Sequence, residues 1–74
     1  MSYYYRICES RISDEDNEIH TVYGIELYCG SMLIKSYPDV FFEKEKAETL
    51  TYLCNALGLS PLHFPDVIED ALID

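Results

Sequence analysis

The nearest approach to a reactive set in this chain is Ser60, His63 and Asp66. A hydroxyl, an imidazole and a carboxylate can act as nucleophile, base and orienting acid, but only where they converge in a pocket that shields substrate from water. A chain of 74 residues rarely encloses such a pocket. Ser60 therefore reads as the cap of a turn, and His63 as a ring that satisfies a nearby backbone group. Cys8, His20, Cys29, Cys54 and His63 are metal ligands by type, yet none has the local spacing of a zinc site. Their ordinary reading is half-buried or buried thiols and a solvated His20. Asp14, Glu15 and Asp16 lack the alternating ligands, central glycine and terminal bidentate glutamate of a calcium loop, and read as a polar hairpin tip. Paired carboxylates for glycoside hydrolysis are defined by their separation in space, which spacing along the chain does not supply. The expectation is no enzyme, no cofactor and no metal.

Charge carries the stronger signal. Fourteen Asp and Glu stand against five Lys and Arg, a net charge of −9. Residues 12–34 hold five acids and no Lys or Arg, and residues 47–74 repeat that balance. A field of one sign repels phosphates and anionic lipid surfaces, which argues against direct binding of nucleic acid or membrane and favours a protein partner with a basic surface. No apolar run approaches the roughly 18 residues of a membrane-spanning helix. The start, Met-Ser-Tyr-Tyr-Tyr-Arg, lacks the basic and apolar regions of a signal peptide, and three cysteines without a C-x-x-C form no disulfide framework. A cytoplasmic location follows as the expectation. With 49% hydrophobic residues, the chain lies outside the composition of disordered proteins despite its acidity.

The elements that must position these groups can be read from periodicity. Residues 3 to 12 and 19 to 29 are rich in Tyr, Ile, Val and Thr around the polar Ser-Asp-Glu-Asp-Asn-Glu segment, which predicts a β-hairpin. Pairing residues whose numbers sum to 30 sets Tyr3, Tyr5 and Ile7 opposite Leu27, Ile25 and Tyr23 on one apolar face. The other face then holds Tyr4, Arg6, Cys8 and Ser10 near Glu26, Gly24, Val22 and His20. Gly30-Ser31 predicts a second turn, and Met32 to Tyr37 a third strand ended by Pro38. Gly24, within a strand, marks a bulge or a close backbone approach. From about Glu43, Ala47, Leu50, Leu53, Cys54 and Leu57 fall at helical spacing, with Gly58 placed to end the helix. Ser60-Pro61 opens a tight turn into a short helix, whose apolar stripe is Phe64, Val67, Ile68, Ala71 and Leu72. The expected fold is a single α+β domain over residues 1–74: a three-stranded antiparallel sheet in β-β-β-α-α order with both helices on one face.

Tyr5 to Ser10, Tyr23 to Glu26, Leu53-Cys54-Asn55, Leu59 to His63 and Asp66 to Asp70 together resemble a family of short, uncharacterised bacterial proteins found in clostridia and related Firmicutes. The resemblance spans nearly the whole chain. It implies a bacterial cytosolic origin and supplies no catalytic residues.

Two function classes remain. The leading one is a non-enzymatic interaction module. Its partner-binding candidates are Glu45, Glu48 and Tyr52, which share a polar helix face, and the acidic stripe Asp66, Glu69, Asp70 and Asp74. Self-association as a homodimer through the outer sheet face would use Tyr4, Arg6, Cys8, Val22 and Tyr28, which otherwise form an exposed apolar patch. The alternative is a nucleic-acid mimic, a phage- or element-encoded inhibitor of the anti-CRISPR kind, whose carboxylates stand in for phosphates in a basic groove.

Overall fold

The computed structural model describes residues 2–73. Three strands, β1 (Tyr3–Ser13), β2 (Ile19–Cys29) and β3 (Met32–Phe41), form an antiparallel meander with β2 in the centre. Helices α1 (Lys44–Ala56) and α2 (Phe64–Ile73) follow. This is the expected α+β arrangement.

The hairpin register differs from the expected one. Tyr5 pairs with Leu27 and Ile7 with Ile25, so that paired numbers sum to 32. The tip decides this. The Asp14 N–H donates to Glu18 O, and Asn17, at φ 62°, supplies the left-handed residue of a three-residue loop. Because the slip is an even number, every side chain keeps its expected face. The β2–β3 loop is closed by Cys29 opposite Met32, and Gly30 holds φ 62° at its first position, where a Cβ would be strained.

Pro38 does not end β3. The strand continues to Phe41 through a bulge: Ile25 pairs with Tyr37 and Tyr23 with Phe41, leaving Pro38, Asp39 and Val40 against Gly24 alone. An edge strand tolerates proline at such a bulge because no ladder hydrogen bond is asked of it there. Gly24 makes the close approach expected of it. A Cβ at this position would overlap Tyr37 O and lie 2.6 Å from Pro38 Cα.

The core lies between the sheet and the helices. Tyr5, Ile25, Leu27, Cys54, Phe64 and Ile68 are buried together, with Phe64 set edge-on to Tyr5 (4.9 Å) and Tyr37 (5.1 Å). α1 starts at Glu43 without a side-chain cap and ends in a Schellman turn: Leu59 N–H donates to Cys54 O, Gly58 N–H donates to Asn55 O, and Gly58 is left-handed at φ 61°. The buried face of α1 keeps only part of the expected stripe. Ala47, Thr51 and Cys54 are buried, Leu50 is half-buried, and Leu53 and Leu57 are 43% and 78% exposed. Small residues on the inner face let the helix sit close to the sheet, and Thr51 satisfies its hydroxyl by donating to Ala47 O at 2.7 Å.

Candidate interaction surfaces

The helices stand apart. Their Cα atoms nowhere come within 8 Å of each other, and an open trough of about 810 Å³ runs between them. Val40, Leu50, Leu53 and Leu72 line it, with Phe42 at its mouth and Glu43, Glu45 and Lys46 along the rim. Phe42 is 72% and Leu72 57% exposed, so this apolar lining is wet in the isolated chain. The displacement of Leu53 from the core is what furnishes the trough. Periodicity alone could not reveal it, because α1 carries apolar residues on more than one side.

Glu45, Glu48 and Tyr52 share one exposed face of α1, as their spacing predicts, with Tyr52 70% exposed. Asp66, Glu69 and Asp70 are likewise exposed on α2, while Asp74 lies outside the described residues. Little neutralises these acids. Among the described residues the ion pairs are Lys46 with Glu43 at 3.9 Å and His20 with Asp14 at 2.7 Å. Arg6 and Lys35 lie over the Tyr28 and Tyr37 rings instead.

On the outer sheet face, Tyr4 stacks on Tyr28 at 5.3 Å and 11° between planes, and Arg6 lies 5.3 Å from the Tyr28 ring. The Tyr28 hydroxyl donates to Glu26 at 3.2 Å, and partial burial followed by the Glu26 carboxylate pushes its phenol above the usual value. Cys8 is half-buried beside them, its thiol raised by burial and then by Glu26. Val22 does not belong to this patch. It is fully buried, two residues along the same face from the site where β3 crosses Gly24, and so offers no surface for self-association. Cys8 and Cys29 pair with Gly24 and Tyr3 and thus lie on opposite faces, as the register requires.

The reactive residue types are dispersed. Ser60 lines a small cleft with Tyr3, Tyr5 and Asn55, and its Oγ accepts the Leu62 N–H at 3.3 Å, a turn cap. His63 is exposed, and among the described residues its ring bonds no backbone group, contrary to expectation. Asp66 is exposed outside that cleft. At the hairpin tip, ligand atoms of Asp14, Glu18 and His20 lie within 4.8 Å of one another, a set that spacing hid because strand pairing assembles it. His20 is half-buried and paired, not simply solvated. Asp14 accepts the N–H groups of Asp16 (2.9 Å) and Glu18 (3.0 Å), and the His20 contact holds its carboxyl below the ordinary range.

Asn55 is the residue that sequence reasoning missed. Its Oδ1 accepts the Tyr5 N–H at 2.7 Å and its Nδ2 donates to Tyr5 O at 2.9 Å, so one side-chain amide takes the place of a neighbouring strand on the edge of β1. Fifty residues separate the partners in sequence.

From the first strand through α2, the chain is covered by one family model, over residues 1–74. The chain belongs to the family of unknown function DUF6514. Membership of DUF6514 bears out the resemblance to a family of unknown function, bears on neither its clostridial source nor a cytosolic origin, and assigns a role to no residue. No curated protein and no solved structure matches the chain. Among the described residues, no helix is long and apolar enough to cross a membrane.

Proposed function

We propose that this protein is a non-enzymatic acidic interaction module that docks a basic, amphipathic segment of a protein partner on its helix layer. The observation that carries this reading is the solvent-open apolar trough between α1 and α2, with Glu43 and Glu45 against Lys46 on its rim and the exposed acids Glu48, Asp66, Glu69 and Asp70 on the same two helices. Apolar lining supplies affinity once water is displaced, and the surrounding negative field selects and steers a cationic partner. Surface is also in surplus. The accessible area is 5379 Å², against about 4700 Å² for a compact monomer of this mass, which suits a molecule that covers part of itself with something else.

The test is capture from lysate of the producing cells on immobilised wild-type protein and on two variants, Glu45→Lys/Glu48→Lys and Leu53→Asp, each checked for unchanged circular dichroism. We expect a partner retained at about 50 mM salt, released at about 500 mM, and lost with either variant. Retention indifferent to salt and to both variants, or no retention at low salt, would overturn the reading. Displacement of the partner by duplex DNA would favour the alternative, in which the carboxylates imitate phosphates in a nucleic-acid-binding groove.

A further inference from the structure

The two edges of the sheet are built differently. β3 carries Lys35, Pro38 and two register irregularities, the devices that keep an edge strand from pairing with another chain. β1 has neither a proline nor a register irregularity, and its charges, Arg6, Glu9 and Arg11, are of both signs. It runs eleven residues in unbroken register with β2, and only Tyr5 is covered, by Asn55. Those two hydrogen bonds fix the geometry of the rest: if Tyr5 turns its N–H and C=O away from β2, so do Ile7, Glu9, Arg11 and Ser13. Among the described residues, no hydrogen bond from outside the hairpin reaches them. β3 pairs with β2 only as far as Tyr23, so beyond it the hairpin continues as two strands, with Val22 buried and His20 edge-on to Phe42 at 6.5 Å, while Arg11, Ile12, Ser13 and Ile19 are exposed.

Charge indicates the occupant. Both arginines of the chain, Arg6 and Arg11, lie on β1, and Arg11 is exposed with no carboxylate bonded to it among the described residues. We propose that β1 pairs antiparallel with β1 of a second copy, about a twofold axis at Ser10. In this register Glu9 faces Arg11 of the second copy and Arg11 faces its Glu9, both as hydrogen-bonded pairs, while Ile7 faces Ser13 and, on the outer face, Cys8 faces Ile12. Neighbouring registers fail on charge. Shifting the axis to Glu9 opposes two glutamates, and shifting it to Arg11 opposes two arginines. The Asn55 clamp at Tyr5 falls opposite residue 15 of the second copy, beyond the last ladder pair of Ile7 with Ser13, so it marks where the intermolecular ladder stops. The result is a six-stranded sheet joined edge to edge, not the face-to-face contact that the outer tyrosines suggest. It uses a surface separate from the helix layer, so partner capture and dimerisation fail independently.

The experiment is sedimentation equilibrium of the full chain, with thermal melts as a folding control. Wild type should show a reversible monomer–dimer equilibrium. Arg11→Glu and Glu9→Arg should each weaken it roughly tenfold, and the doubly swapped Glu9→Arg/Arg11→Glu should restore it. If a single variant melts early, Arg11→Pro serves in its place: it removes an outward donor of the intermolecular ladder and none from the hairpin. Ser10→Cys should form a disulfide-linked dimer, since the twofold axis sets residue 10 against itself. A wild-type monomer at the highest soluble concentration, a dimer indifferent to all these charge changes, or a dimer in which Ser10→Cys fails to cross-link would overturn the proposal.

Discussion

Asn55 joins the end of α1 to the edge of β1 with a matched donor and acceptor, while the Tyr5 hydroxyl donates to Leu59 O at 2.6 Å just beyond the same helix. Three polar contacts thus converge on one tyrosine whose ring lies in the core, where burial raises its phenol above the ordinary value. Replacing Asn55 with Ala leaves the Tyr5 N–H and C=O without their partner, and a part-buried amide so abandoned costs about 1–3 kcal/mol. We expect Asn55→Ala to lower the unfolding free energy by that amount, read as a lower urea midpoint with the slope unchanged, and Asn55→Asp to fail to rescue it, since a carboxylate accepts from the N–H but cannot donate to the carbonyl. Nothing near Asn55 in sequence announces this role. An asparagine in the last turn of a helix reads as a C-terminal signal, and the strand it binds lies fifty positions away.

At the level of elements, the hairpin, the helix stop at Gly58 and the apolar stripe of α2 are legible because each follows from interactions a few residues long. The end of β3 is not. Proline predicts termination, but Gly24 on the neighbouring strand has no side chain, and that vacancy lets the β3 backbone arch over it and resume pairing at Phe41. Gly24→Ala should therefore destabilise by about 3 kcal/mol or more, because the intruding methyl meets backbone and not a flexible side chain. Gly58→Ala, with open space around it but φ at 61°, should cost only about 1–2 kcal/mol. Equilibrium denaturation of the two variants checks the order, and equal effects would contradict the close approach. α1 teaches a similar lesson. Leu53 is larger and more apolar than Thr51, yet Ala47, Thr51 and Cys54 face the sheet, because closeness of approach counts as well as hydrophobicity in a thin two-layer fold.

For the molecule as a whole, the radius of gyration is 12.8 Å, against about 11.3 Å for a compact chain of this length, and the axes measure 44 × 27 × 18 Å. The extension spreads nine surplus negative charges, yet their mutual repulsion still opposes folding. Raising sodium chloride from about 10 mM to 500 mM should then raise the melting temperature of the isolated protein, as screening shortens the reach of that repulsion. A melting temperature that falls with salt would mean that attractive pairs dominate, which the sparse ion pairs oppose. Strand and helix order, the faces of the hairpin and the sign of the field were all present in the amino-acid order, because alternation, helical spacing and composition act locally or sum without regard to position. Folding alone settled that Leu53 and Leu57 leave the buried side of α1, where β3 ends and what holds the β1 edge. Each of these depends on a neighbour distant along the chain, and only the packed molecule brings that neighbour near.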